Sequence, residues 1–536
     1  MALTYQLTSL LWQKLPWILT VTGLFFYLHT LFASRKKPPV PPGPSSLRIF
    51  FDILKAVKGG TLHLLGEKWA RQYGDIVMCR TIIGNFCFLN SARLVRQVFT
   101  NKEIELVSND RPKMFTAAQV MYNFNDVSFS DQVNNIYWLK MRKLLHSTVM
   151  FYGSGVEKFE KVMQTELCRL TETLQTTIKT NGETHLGQLG GYCEVELEQL
   201  ISTSIQRALA ILITGEEQSP DSKVPQMIGD FAVCAQKILT PTVDSILSIF
   251  PFLRFLPVTY YKELFGNTLK CRDMLMEEVF TKGKAKHVPG EPKGMVGSLL
   301  EAQMKNSNDW LTDDHIRAML LDIIAAAFVT STELLKSFFL YMAHYPQVMK
   351  KIQQEIDSTL GHRSPSLDDR RSFPFMEAAI LEVIRSTSNV PLGVWHETRE
   401  DILTDGFCIP RGTVLFENIW WMNKDQTAWE DPEVFRPERF LDDEGQLLPA
   451  THPMRWRFLP FGIGKRSCPG ENFARSRAFL YVTTLLQKFD FLPPVNHDLL
   501  PLTQDSWTEG LALQLKPCQV AIKRRSQHPQ TGELSA

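Results

Sequence analysis

The sequence predicts a mostly α-helical fold with small β-sheets, an α+β architecture built on one long central helix and preceded by an N-terminal transmembrane helix. Three observations carry this reading: a 19-residue stretch, Leu15 to Ala33, without acid, Lys or Arg; helical patterning through most of the chain beyond Ser45; and a 34-residue run, Thr312 to Tyr345, without Gly or Pro. The 536 residues would suffice for several average domains. No Gly/Ser-rich or charged linker divides them after residue 44, so one large domain is expected. Hydrophobic residues at 44% and charged residues at 21% exclude a disordered, collagen-like or polytopic membrane chain. With 58 basic and 57 acidic residues the net charge is +1, so no global field favours nucleic acid as a partner. Nine cysteines without a C-x-x-C pair are neither a disulfide framework nor a zinc site, and they fit a reducing compartment.

The elements follow in chain order. As a helix, Leu15 to Ala33 covers roughly 28 Å, about one bilayer core. Arg35, Lys36 and Lys37 close it while only Lys14 precedes it, which by the positive-inside rule leaves the bulk of the chain cytosolic. A cleaved signal peptide would not end in a basic stop-transfer cluster, and no A-x-A-like site is evident. Residues 1–34 therefore read as a single-pass anchor, and 35–44 as a basic stop-transfer and proline-rich hinge whose Pro38-Pro39-Val40-Pro41-Pro42-Gly43-Pro44 forms a stiff spacer. The main domain is expected over 45–523 and a polar tail over 524–536. Ile76–Thr81, Asn85–Leu89 and Thr413–Glu417 read as short strands. Thr312 is the expected N-cap of the central helix and Pro346 its stop; as a helix the run spans roughly 50 Å, enough to cross a domain. Its middle, Leu320 to Val329, holds one charge, Asp322, so the helix is expected to be buried, with Thr330-Ser331-Thr332 as an unexplained polar run at its centre.

Near the C-terminus stands Phe461-Gly462-Ile463-Gly464-Lys465-Arg466-Ser467-Cys468-Pro469-Gly470-Glu471. Glycines tighten the loop and Pro469 can start the following helix, which leaves Cys468 beside a helix N-terminus where the dipole favours thiolate over thiol. Such a sulfur is a metal ligand or a nucleophile; for the other eight cysteines an inert buried thiol is the expectation. This segment resembles the haem-binding signature F-x-x-G-x-x-x-C-x-G of the cytochrome P-450 family, with Phe461, Gly464, Cys468 and Gly470 at the specified positions. Glu382 and Arg385 resemble the family's E-x-x-R pair, and Phe435-Arg436-Pro437-Glu438-Arg439-Phe440 its P-E-R-F element. The resemblance implies a structural network joining Glu382, Arg385 and Arg439. Trp138 and Arg142 resemble a W-x-x-x-R element that holds a haem propionate, a task implied also for Arg466 and His396.

What the resemblance implies is the cytochrome P-450 fold, haem b with Cys468 as axial thiolate and metal ligand, and oxidation of a lipophilic small molecule by dioxygen. Electrons would come from NADPH through a membrane flavoprotein reductase, with the enzyme anchored in the endoplasmic reticulum membrane and its catalytic domain cytosolic. Arg455, Arg457, Lys465, Arg466, Arg475 and Arg477 stand against one acid, Glu471, in residues 455–477; they form either a reductase-docking patch or a set of propionate-binding and solvated charges. By analogy the substrate pocket is lined by Asn389–Val394, Ala325–Val329 and Thr508–Leu511. The chain is most similar to the animal microsomal group containing steroid 17-alpha-hydroxylase and the aromatic-hydrocarbon hydroxylases, which points to a steroid or polycyclic substrate.

One departure matters. The family's central helix usually reads A/G-G-x-D/E-T-T/S, whereas this chain has Ala326-Ala327-Phe328-Val329-Thr330-Ser331. Thr330, the catalytic hydroxyl, is in place, but Val329 stands where the proton-carrying acid belongs, and valine carries no proton. Two enzymatic readings remain at this stage, a monooxygenase relying on Thr330, Ser331 and water, or a reductant-independent haem-thiolate isomerase or dehydratase. A non-catalytic haem-binding protein is the third.

Overall fold

The computed structural model describes residues 39–59, 61–149, 154–182, 192–256, 260–305 and 309–525. The anchor expected over 1–34 lies outside them. The core is organised by one α-helix, Asp313–His344, of 32 residues. Thr312 caps it reciprocally: its side chain accepts from His315 N at 3.4 Å, and His315 Nδ1 accepts from Thr312 N at 3.3 Å. Asp313 and Asp314 lie in the positive first turn, and Pro346 ends the element by opening the next helix, Pro346–Thr359.

An apolar surface nearly all round buries this helix among neighbours rather than at the surface. It packs against Leu197–Thr214, Val224–Ile238, Pro374–Thr387 and Glu471–Lys488. Two of its buried charges, Glu333 and Lys336, are satisfied in place. Lys336 Nζ donates to Glu333 at 2.9 Å and to Glu198, while Glu333 accepts from Leu515 N at 2.7 Å. Without such partners a buried lysine would be neutral or the helix would move.

Beside the helices lies a four-stranded sheet in the order Ile76–Thr81, Gly84–Leu89, Thr413–Glu417, His396–Glu397. The middle pair is parallel, with Cys87 opposite Leu415, and the outer pairs are antiparallel. Its edge strand delivers His396 to the interior, and the end of the neighbouring inner strand delivers Glu417. A second sheet joins Tyr192–Glu196, Gln519–Arg524 and Phe489–Leu492.

Two expected boundaries move. The proline-rich segment is not a free spacer: Pro39 O accepts from Cys408 N at 2.9 Å and Pro42 O from Met78 N at 2.8 Å, and a Cβ on Gly43 would fall 1.9 Å from Met78 O. Prolines lack donors but keep their carbonyls, so the run docks as an acceptor-only strand edge. The tail expected from residue 524 begins later, because the last strand includes Arg524 and Arg525 pairs with Asp357 at 2.6 Å.

Glu382, Arg385 and Arg439 form one buried network. Arg385 donates to both Glu382 oxygens at 2.8 Å, Arg439 Nε to Glu382 Oε1 at 2.9 Å, and the remaining guanidinium N–H groups go to the carbonyls of Asn423, Pro432, Glu430 and Val434. Removing one member of such a network leaves a buried charge uncompensated. Arg439→Met is expected to destabilise the fold by about 3–5 kcal/mol, read as a lower denaturant midpoint at unchanged slope; an unchanged midpoint would contradict this account.

Candidate functional site

The Cys468 loop is held by its own backbone. Cys468 N donates to Phe461 O at 2.8 Å and Ser467 N to Gly464 O at 3.2 Å, with Gly464 at φ 74°. A Cβ on Gly464 would lie 2.5 Å from Phe99 O, so this glycine permits the loop to pack on the Phe99 helix end and does not itself reach the cavity. The following helix starts at Glu471 with Gly470 as its cap, two residues beyond Pro469. Gly470 N donates to Cys468 Sγ at 3.3 Å. The sequence led us to expect a thiolate here; burial instead pushes the Cys468 thiol up, against the opposing pull of Gly470 N–H and Arg142. A cation facing the sulfur would reverse that balance. Cys468 counts as exposed by area, but that surface opens inward, onto a cavity.

The cavity, about 320 Å³, lies between the Cys468 loop, the central helix, the helix Val224–Ile238 and the segment Asn389–Val394. Its lining is mostly apolar and includes Phe461, Ala325, Ala326, Ala327, Val329, Val390 and Val394. Of the expected loop Thr508–Leu511, only Leu511 reaches it. Thr330 does, and its hydroxyl donates to Ala326 O at 2.6 Å, while Asn389 Nδ2 donates to Thr330 O at 3.3 Å. Phe461, Arg142, Arg466 and His396 also line it.

Positive charge gathers at one end. Arg466 donates to Asn109 O at 3.1 Å, Val127 O at 3.0 Å and Ser130 O at 2.6 Å; Arg142 donates to Ser467 O. Arg111, which sequence reasoning missed, donates to the carbonyls of Val394, Trp395 and Ser128. Burial lowers all three arginines, Arg466 to about 10, with mutual repulsion adding to it. His396 is held neutral by burial and by Arg111 and Arg466, and its Nδ1 is buried with no hydrogen-bond partner among the described residues. Trp138 departs from expectation: it does not line the cavity, because its Nε1 donates to Val127 O at 3.0 Å and its ring lies under Arg466 at 4.3 Å. It supports the arginine rather than facing the cavity. A lone sulfur at one wall, clustered guanidiniums and an orphaned imidazole nitrogen fit a metalloporphyrin with two carboxylates.

Glu382, Arg385 and Arg439 lie away from the cavity, in the network described above. The cationic stretch 455–477 is not an open patch. Arg466 and Arg477 are buried, Arg475 pairs with Glu377 at 2.8 Å, and Arg455 and Arg457 donate to the carbonyls of Leu448 and Ala428. Asp322 and Glu417 also line the cavity, and neither was assigned a site role from sequence. The one charge in the apolar stretch of the central helix was the available signal for Asp322; a strand-ending acid offered none for Glu417.

A family model described as Cytochrome P-450 matches residues 41–522. The chain belongs to the cytochrome P-450 family. It is 28% identical to a steroid 17-alpha-hydroxylase/17,20 lyase of Ictalurus punctatus over 87% of this chain and 88% of that one. It is also 28% identical to cytochrome P-450 2J3 of Rattus norvegicus, over 90% and 91% respectively. A solved zebra fish cytochrome P-450 structure with progesterone superposes with a TM-score of 0.71 at 26% identity, covering 86% of this chain and 99% of that one. The protein is thus a cytochrome P-450 monooxygenase, an oxidoreductase of a family that binds haem b through a cysteine thiolate.

Asp322 carries a test of the site's electrostatics. Its Oδ2 accepts from Val127 N at 2.7 Å, its Oδ1 has no partner among the described residues, and burial followed by repulsion from Asp126 raises it well above the ordinary range. A carboxyl raised in the fold binds more protons folded than unfolded, so it contributes destabilisation that grows as pH rises above its unfolded value, about 4. Asp322→Asn is expected to raise the thermal midpoint relative to the parent, by more at about pH 8 than at about pH 5. A difference independent of pH would mean that Asp322 is ionised in the fold.

Proposed function

We propose that this cytochrome P-450 inserts one oxygen atom from dioxygen into a flat lipophilic substrate, a steroid or polycyclic compound, using NADPH electrons delivered by a membrane flavoprotein reductase. The observation that carries the reading is Cys468 opening onto an apolar cavity that Thr330 also lines. When bound, haem b with a thiolate ligand supplies the activation of dioxygen. Cys468 Sγ would be the ligand, and the Gly470 N–H donated to it would moderate the sulfur's electron release. Arg142, Arg466, Arg111 and His396 hold the carboxylate edge. Trp138, stacked beneath Arg466, fixes that guanidinium in place.

Thr330 Oγ1 keeps a proton in the cavity, parked on Ala326 O, one side-chain rotation from release. Val329, which also lines the cavity, has none to offer, and this favours the second reading, a reductant-independent isomerase or dehydratase. The names of the relatives support the first reading, since two of those above are a steroid hydroxylase and a structure with progesterone. Apolar walls position the substrate and exclude water, and they discriminate by shape rather than by polar contacts.

We also propose a seat on the endoplasmic reticulum membrane through a single span at 1–34, with the domain cytosolic. Leu47, Phe50, Phe51 and Leu54 on the first described helix, Ser46–Gly59, are each more than half exposed, as are Phe252 and Phe255. Apolar side chains in such numbers suit a lipid interface.

Product analysis by mass, with and without reductase and NADPH, tests the function. A product one oxygen heavier, formed only with NADPH, is expected; an isomerised or dehydrated product without NADPH would establish the second reading. Cys468→Ala is expected to abolish the thiolate-type carbon monoxide spectrum, and its retention would show the ligand misassigned. Val329→Asp is expected to raise the fraction of NADPH electrons captured in product. No gain with the haem intact would show that proton delivery does not limit turnover.

A further inference from the structure

The cavity wall carries a carboxyl group that neither the ligand set nor the hydroxyl relay uses. Glu417 ends the strand Thr413–Glu417, is 4% exposed and lines the cavity. Two left-handed glycines make room for it: a Cβ at Gly393 (φ 63°) would stand 3.1 Å from Glu417 Oε2, and one at Gly462 (φ 65°) 3.4 Å. Gly462 belongs to the Cys468 loop and Gly393 to the substrate-side segment, so the carboxyl sits where these two walls meet. Among the described residues no N–H or O–H donates to it, and Arg111 is the single cation whose charge acts on it.

A carboxylate deprived of water and of donors holds its charge poorly, and burial pushes Glu417 up to about 7 while Arg111 pulls it down. The other ionisable side chains near it in the lining differ from it in kind. Arg111, Arg142 and Arg466 are guanidiniums that keep their charge despite burial, His396 is held neutral, and burial followed by repulsion from Asp126 raises Asp322 well above the ordinary carboxylate range. Glu417 stands poised between its two states near neutral pH, and Asp126, outside the lining, is raised by burial to about 6. Adding one negative charge to the same low-dielectric cavity raises its affinity for a proton.

We propose that Glu417 is a proton-accepting positioning residue coupled to the haem, binding one proton when the iron accepts one electron. An electron from the reductase flavin converts ferric to ferrous iron, and a proton from solvent adds to a Glu417 carboxylate oxygen, giving the neutral acid. The net charge of the cavity is then unchanged by the electron.

The proposal rests on the haem assignment above, and the test separates the two. The thiolate-type carbon monoxide spectrum of the full-length protein reports the haem; its absence would overturn that assignment and the proposal with it. In protein that has the spectrum, the midpoint potential is titrated with dithionite and mediator dyes between about pH 6 and about pH 8. The expected result is a potential that falls as pH rises in the parent and is flat in Glu417→Gln. A flat parent, or an equal slope in the variant, would overturn the proton role and assign any slope to haem propionates or to the Asp126–Asp322 pair. Should Glu417→Gln fail to bind haem, Arg111→Gln serves instead: removing the cation is expected to move the sloping region to higher pH, and an unmoved region would overturn the proposal.

Discussion

Three guanidiniums, Arg111, Arg142 and Arg466, converge on one end of an internal cavity, and the rest of the site depends on how the chain tolerates that buried charge. Taking a single cation out of water costs several kcal/mol even after relaxation, and here the three repel one another as well. The compensation is backbone. Arg466 and Arg111 between them take the carbonyls of Asn109, Val127, Ser128, Ser130, Val394 and Trp395. Four carbonyls in the stretch from Asn109 to Ser130, those of Asn109, Val127, Ser128 and Ser130, are turned toward these arginines and lie outside helix and sheet. Carbonyls are dipoles rather than counter-ions; opposing charge comes from Asp126, Asp110, Asp131 and Glu417, and in the proposed function the carboxylate edge of the cofactor would add to it.

The legible parts of this molecule were those that local chemistry dictates. The central helix could be read from Thr312 to Pro346 because capping, first-turn acids and the absence of Gly and Pro all act within a few residues. The Cys468 loop was legible for the same reason, since its glycines and its sulfur form one short segment. Arg111 and Glu417 were not legible, because their roles come from tertiary closure: strand pairing and two distant glycines bring Glu417 to the cavity, and nothing near it in sequence marks the event. The proline run was misread in an instructive way. Missing donors suggested a spacer, but the same residues keep carbonyls, and two edge strands had N–H groups to offer them.

Charge counted along a sequence also differs from charge presented in space. The six cations between 455 and 477 look like a docking face only when written in a line. Folding sends Arg466 into the cavity wall and Arg477 against the central helix, commits Arg475 to Glu377, and ties Arg455 and Arg457 to carbonyls. Of this stretch mainly Lys465 is left to present its charge outward, and it is itself 3.6 Å from Glu105.

Arg477 has a consequence for the central helix. Its Nη1 donates to Ala327 O at 3.0 Å while Thr330 Oγ1 takes Ala326 O at 2.6 Å, so two successive carbonyls in the groove are each bound from outside the helical ladder. A carbonyl that accepts a second donor is held away from ideal helical alignment without breaking its own turn, and the helix runs unbroken through this region. Alanine at 326 and 327 then gives what glycine would otherwise give, space beside the carbonyls, and the side chain at 329 is free to be apolar because the polar work of the groove is done by main chain and hydroxyl. The groove at Val329 therefore carries no acid, while the charge behind the helix, on the buried Arg477, is positive. A carboxyl introduced at 329 would enter the cavity that already raises Asp322 and Glu417 by burial while its guanidiniums pull the other way, and the balance of those two effects sets how readily it would take up a proton and pass it on.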